Sequence, residues 1–444
     1  MSSNLENGDA GGQLDESSLS NSTIMPPKDT FNIAYFIYFA LGMGFLLPWN
    51  AFITAVDYFD YLYPNTQIDR VFSLAYIIPC FPFLLLLIFY GRGYSSSIRI
   101  NCGLGLFLVT ILVVPIMDEL AIGDTRGNSI THYVTIGAVA CTGIANGVVQ
   151  GSLVGAAGEL PERYMQALVG GTAASGVLVS LLRILTKAAL PKSSDGLRQS
   201  SNLYFLVSAI FIVLCIVLQT FVHRLPVIQF YKTLDASISA STPLLQGERP
   251  TVSALERPPK HSQLYSVSLA EIKGSKMSWT PVRYWQTLKQ IQGLVLSLTF
   301  IYVVTLSIFP GFITENVHSI KLGDWYPVLL ITTYNVSDLL GKMLTAFYVV
   351  KDKATVEVMC IARILFFPLF ASCLHGSAFM HTEAAVFIST LLLGVTNGYL
   401  SSVIMMSTPK MVAFQDAEVA GIIVVVFLLT GIAAGSILGW VWVI

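Results

Sequence analysis

Charge is what this sequence has least of: of its 444 residues only 11% are Asp, Glu, Lys or Arg, against about a quarter in a typical soluble protein. The net charge is -1, so the clustered, uncompensated Lys and Arg that neutralise phosphates are missing, and nucleic acid is excluded as a partner. There is no GxxxxGK[ST] run to cradle ATP phosphates and no HExxH to hold zinc. ATP-driven pumping and zinc hydrolysis go with them, and we expect neither a cofactor nor an enzyme. Cysteine is sparse too. Cys80, Cys102, Cys141, Cys215, Cys360 and Cys373 stand singly in or beside apolar stretches, without a CxxC pair, and read as small apolar residues. Residues 1–30 lack both a basic start and an apolar core, so they read as an uncleaved, disordered arm.

What the chain has in abundance is hydrophobic length, with 54% of its residues apolar. Six long apolar stretches precede a polar gap and five follow it, each near the roughly 20 residues that span a bilayer. The pattern predicts an all-α integral membrane protein with eleven transmembrane helices, near 31–57, 71–92, 99–121, 131–157, 165–190, 202–222, 291–314, 325–350, 355–378, 385–406 and 417–443. The chain then divides into helices 31–222, a loop 223–290 and helices 291–444. The gap (STPLLQGERPTVSALERPPKHS, then KGSK) has no composition from which to build a core. Arg224, Lys232, Lys276, Arg283 and Lys289 flank it, and the positive-inside rule assigns it to the cytoplasm. With six helices before it, the N-terminus is expected to be cytoplasmic and the C-terminus extracytoplasmic.

The halves echo each other. GVVQGS (Gly147 to Ser152), followed by Pro161 and Arg163, parallels GVTNGY (Gly394 to Tyr399), followed by Pro409 and Lys410; Pro48 beside Trp49 parallels Pro310 beside Phe309. A parallel repeat of six helices, the second copy one short, places a carrier's cargo near mid-membrane between the halves. Glycine recurs every fourth residue at Gly143, Gly147, Gly151 and Gly155, and again at Gly431, Gly435 and Gly439. Such ridges let helices approach closely.

Polar groups inside the apolar stretches are the candidate site. Asn335, Asp338 and Lys342 share one helix face, and an ionisable group facing lipid costs about 2.5–3.5 kcal/mol, so this face lines a cavity or pairs internally. Gln150, Asn146 and Asn50 offer amide donors and acceptors suited to a neutral polar ligand, or to bonds between helices. Trp49 and Phe309 either stack on a flat ring or simply pack. Arg363, Arg183 and Lys187 either snorkel to the interface or pair.

LLPWN (Leu46 to Asn50), QGSLVGAAG (Gln150 to Gly158), YNVSDLLGK (Tyr334 to Lys342), ARILFFPLF (Ala362 to Phe370), TNGYLSS (Thr396 to Ser402) and AEVAG (Ala417 to Gly421) together resemble the equilibrative nucleoside transporters. PPKDTF before the first helix and PWNAFITAVDYF resemble their plant branch. The resemblance implies eleven helices in a major-facilitator-like 6+5 arrangement. It also implies transport of purine and pyrimidine nucleosides of the adenosine, uridine, guanosine and cytidine class by alternating access. A carrier for another neutral solute, such as a nucleobase or sugar, is the alternative. By the same resemblance Leu46 and Trp49 contact the base, Gln150 hydrogen-bonds it, Asp338 binds ribose hydroxyls and Phe309 closes the cavity. Asn50 joins this set, Asn335 and Gly176 match positions tied to activity, and Lys342 and Arg363 serve gating or pairing. Lys342 stands where the family usually has Arg, a planar fork that an ammonium does not replace. Asp57 and Arg183 lie outside the common motifs and leave room for proton coupling, with Asp57 as the candidate proton site. Leu244-Leu245 has the form of a sorting dileucine, yet Ala240 stands where such a signal wants an acid. The plasma membrane is expected, with the vacuolar membrane as the alternative.

Overall fold

The computed structural model describes residues 27–64, 66–91, 94–122, 128–191, 193–241, 281–309, 311, 319–375 and 382–439. Nearly all of the expected N-terminal arm, and the gap from 242 to 280, lie outside the described residues. Its regular structure is helical: α1 Ile33–Thr54, α2 Val56–Leu62, α3 Ile68–Tyr90, α4 Ser96–Met117, α5 Ser129–Gly158, α6 Glu162–Ala189, α7 Ser194–Val222, α8 Pro226–Ser241, α9 Pro281–Ile308, α10 Trp325–Leu344, α11 Lys353–Ala362, α12 Phe366–His375, α13 Glu383–Ser407 and α14 Ala417–Leu438.

Ten helical stretches in the described residues are long and apolar enough to cross a membrane. α10 is long enough as well, since its 20 residues span about 30 Å at 1.5 Å each. It stays outside that set because Thr332, Thr333, Asn335, Ser337, Asp338 and Lys342 interrupt its apolar run.

Caps and breaks refine the expected spans. Ser193 accepts from the Gly196 N–H, so α7 begins at Ser194 rather than near 202. Asn128 and Thr131 form a reciprocal capping box at the start of α5. Ala55 separates α1 from α2 within the single helix expected to run to 57. The ninth stretch, expected as one helix over 355–378, breaks at a 3-10 turn, Arg363–Leu365. The gap is also narrower than 223–290. α8 occupies its first part, with Val227 and Ile228 buried against the bundle, and α9 begins at Pro281. Lys232 of α8 donates to His223 Nδ1 at 2.7 Å, and burial with the nearby ammonium pulls the His223 pKa down to about 4, so the ring stays a neutral acceptor there. At the other end of the chain Asp29 is tied down: its carboxylate accepts from the N–H groups of Ala34 (3.0 Å) and Tyr35 (3.2 Å).

Glycine seams set the packing and repeat between the halves. Gly42 and Gly171 bring α1 and α6 into backbone contact, while Gly431 and Gly435 do the same for α14 against α9. Gly143 and Gly147 press α5 onto Tyr76 and Cys80 of α3, and Gly394 and Gly398 press α13 onto Tyr334 and Asp338 of α10. Further along the α5 ridge the partner changes to α14, where Gly155 meets Glu418 and Gly158 meets the Ala417 carbonyl. The two halves are pinned at that end by an Arg99–Glu418 ion pair and by Lys410 Nζ donating to the Leu160 carbonyl at 2.8 Å.

Candidate substrate site

The site is built around α6. Thr172, Gly176 and Ser180 follow one another at four-residue steps, with Ser175 three residues after Thr172, and form a polar stripe on that helix. Asn50 of α1 donates to Ser175 Oγ at 2.9 Å. Asn335 of α10 donates to Ser180 Oγ at 2.8 Å and to the Gly176 carbonyl at 3.3 Å. Gly176 lies close under this amide: a Cβ there would stand 3.0 Å from Asn335 Oδ1 and press on it. Lys342 donates to Thr172 Oγ1 at 3.2 Å. The stripe thus serves one helix from each half.

Aromatic pairs adjoin the two asparagines in sequence, Trp49 before Asn50 and Tyr334 before Asn335. Trp49 lies on Tyr76 with ring centroids 4.0 Å apart at 23°, and Phe309 lies on Tyr334 at 4.0 Å and 19°. The repeat extends to the polar residues next to the glycine seams. Asn146, just before Gly147, points its amide at Cys80 Sγ (3.8 Å); Asn397, just before Gly398, donates to Asp338 Oδ1 at 2.7 Å. Asp338 therefore occupies the place in the second half that Cys80 occupies in the first. A carboxylate stands where its repeat-mate is a thiol.

Asp338 is 7% exposed, and its Oδ2 lies 2.9 Å from Lys342 Nζ. Behind Asn397 the bonds continue: Thr305 donates to Asn397 Oδ1 at 2.9 Å, and Arg363 Nη2 donates to Thr305 Oγ1 at 2.7 Å. Arg363 also bonds the Thr396 hydroxyl and the Leu393 carbonyl. It is 2% exposed, so it turns inward to neutral acceptors and does not snorkel; the 3-10 turn between α11 and α12 carries it into the bundle. Burying charges is tolerable when they are paired and hydrogen-bonded: Asp338 pairs directly with Lys342, and Arg363 reaches it only through Thr305 and Asn397.

The other expected residues lie around this network. Leu46, Trp49 and Asn50 are half-buried along α1, and Phe309 is half-buried just past the end of α9. Gln150 accepts from Asn146 of its own helix at 3.0 Å. Asp57 is joined elsewhere. It forms an ion pair with Arg183, its side chain 52% exposed, at the rim of a cavity of about 390 Å³ that Thr186, Lys187 and Asp324 also line. Lys187 donates to the Asp324 carbonyl at 2.6 Å. Sequence reasoning missed Tyr76, Thr172, Ser175, Ser180, Thr305 and Asn397; the α6 stripe was legible in the spacing of its small polar residues, whereas Thr305 carried no signal.

Residues 136–444 match the family model described as nucleoside transporter. The chain belongs to the nucleoside transporter family. The transporter is 47% identical over 426 residues to "Equilibrative nucleotide transporter 1" of Arabidopsis thaliana, covering 95% of this chain and 89% of that protein. It is 40% identical over 417 residues to "Equilibrative nucleotide transporter 8" of the same plant, covering 94% and 97%. The human "Equilibrative nucleoside transporter 4" is 31% identical over 449 residues, covering 92% and 82%. Among solved structures, a proton:xylose symporter of the major facilitator superfamily superposes with a TM-score of 0.60 at 12% identity, covering 93% of this chain and 89% of that one. The Escherichia coli fucose:proton symporter gives 0.55 at 11% identity, covering 92% of each. At those identities the likeness is one of fold: the transporter has a major-facilitator-like architecture.

Proposed function

We propose that the transporter carries nucleosides across a membrane by alternating access, with the cargo held between α1, α5, α6, α9 and α10. The observation that carries this reading is Asp338, a buried carboxylate one turn from Tyr334 of the Phe309–Tyr334 stack and paired with Lys342, which reaches Thr172 of the other half. A carboxylate offers about four lone-pair sites, of which Asn397 and Lys342 take two, so two remain for the hydroxyls of a ribose diol. Leu46, Trp49 and Phe309 supply walls for a flat base, and Gln150, Asn50 and Asn335 supply amides for its edge. The family match and the name of the human relative support nucleosides over other neutral solutes.

In this reading α10 is the eleventh crossing. Residues 223–280 and the N-terminus face the cytoplasm, the C-terminus lies outside, and the Arg99–Glu418 pin closes the cytoplasmic end until cargo arrives. We assign the carrier to the plasma membrane, with the vacuolar membrane as the alternative. Uptake of labelled uridine in transporter-deficient cells tests the function. Unlabelled adenosine, guanosine and cytidine are expected to compete and a hexose is not; the opposite result would make the chain a carrier of another solute.

Proton coupling at Asp57 has to contend with Arg183, whose guanidinium would lose its counter-charge if the carboxylate were protonated. Asp57→Asn is therefore expected to lower uptake by a similar factor at acidic and neutral external pH, leaving the shape of the pH profile unchanged. A pH response that disappears in this variant would make Asp57 the proton site after all.

A further inference from the structure

We infer that Asn397, oriented by Thr305, is a positioning residue that fixes the Asp338 carboxylate for the sugar hydroxyls of the cargo; this rests on the ribose-binding reading of Asp338. The chain of bonds has a forced polarity. Arg363 at one end can only donate, and an ionised Asp338 at the other can only accept. Thr305 takes the Arg363 hydrogen on its oxygen, and its own hydroxyl hydrogen is shared between Asn397 Oδ1 and the Ile301 carbonyl at 2.8 Å. Asn397 can therefore point its oxygen only at Thr305 and its NH2 only at Asp338. The flipped amide would set its oxygen against a carboxylate oxygen with no hydrogen between them, and would leave the Thr305 hydroxyl hydrogen to the Ile301 carbonyl alone. Asp338 is thus held from two helices, with Oδ1 bonded to Asn397 of α13 and Oδ2 to Lys342 of α10. A carboxylate clamped on both oxygens cannot turn about its terminal bond, so its free lone pairs point in fixed directions, and that prepares it for a diol. Thr305 is 0% exposed and Asn397 3%, so their effect on recognition is transmitted through Asp338.

The test compares transport efficiency for uridine and for 2′,3′-dideoxyuridine, which keeps the base and loses the hydroxyls that Asp338 would receive. Thr305→Val removes one hydroxyl at nearly constant volume. It is expected to lower efficiency for uridine roughly tenfold, through KM, and to leave dideoxyuridine within about twofold, the size of effect that one lost hydrogen bond in a buried network produces. Asn397→Leu is expected to act in the same direction, and Thr305→Ser to restore the preference. Equal losses for both substrates would make Thr305 and Asn397 packing residues and overturn the inference, as would no change in either. Asp338→Asn separates the two levels. If it abolishes the uridine preference while Thr305→Val and Asn397→Leu retain it, only the positioning role fails; if it leaves the preference intact, the ribose-binding reading fails first.

Discussion

Asp338→Asn is expected to cut uptake at limiting nucleoside by roughly ten- to a hundredfold while the protein still reaches the membrane. A hydrogen bond to a charged group contributes about 1.5–3 kcal/mol, and each 1.4 kcal/mol is a factor of ten, so the loss of charge alone accounts for that range. An amide also presents one acceptor atom where the carboxylate presents two, so the Lys342 and Asn397 bonds and two ribose hydroxyls can no longer all be accepted. Removing the anion leaves Lys342 buried without its counter-charge, at 6% exposure, so thermal stability in detergent is expected to fall as well. Asp338→Glu keeps the charge on a longer stem and is expected to recover stability more fully than uptake. Uptake normalised to surface protein measures the effect, and near wild-type flux in Asp338→Asn would remove this carboxylate from recognition.

The two levels of the molecule were legible to different degrees. Helix positions followed from apolar length alone, because a bilayer imposes a minimum span, and the polar face of α10 was recognised from Asn335, Asp338 and Lys342 at helical spacing. α8 went unseen because the gap was read as one block of polar composition. Its opening residues, Pro226 to Tyr231, carry enough apolar surface to bury Val227 and Ile228. Arg363 was ambiguous for a physical reason: an arginine near a helix end can snorkel or turn inward, and the 3-10 break that decides between them depends on neighbours far away in sequence. Thr305 and Asn397 are separated from Asp338 by 33 and 59 positions along the chain, so nothing local marks them as its supports. The stacking of Trp49 on Tyr76 and of Phe309 on Tyr334 was invisible for the same reason, although the repeat that pairs them was already apparent in the glycine motifs.

Gly398→Ala is expected to be as damaging as a change in the site itself. Gly398 lies against the backbone of α10: a Cβ there would overlap the Asp338 carbonyl oxygen, come 2.9 Å from its carbon and 3.0 Å from the Lys342 nitrogen. Those are backbone atoms inside a helix, so no side chain can rotate away, and α13 and α10 must separate. Overpacking of this kind costs about 1–3 kcal/mol. It is also aimed at the residue that matters, since moving α10 away from α13 stretches the 2.7 Å bond from Asn397 that fixes Asp338. The expected result is at least a several-fold loss of uptake per folded molecule, together with lower thermal stability in detergent. Gly105→Ala is the control, because a Cβ on that α4 glycine meets nothing within 4 Å, and it is expected to behave as wild type. If Gly398→Ala transported normally, the α10–α13 seam would have to yield without disturbing Asp338. The close approach of the two helices would then be packing alone, and the carboxylate's position would be set by Lys342 and Asn397 irrespective of helix spacing.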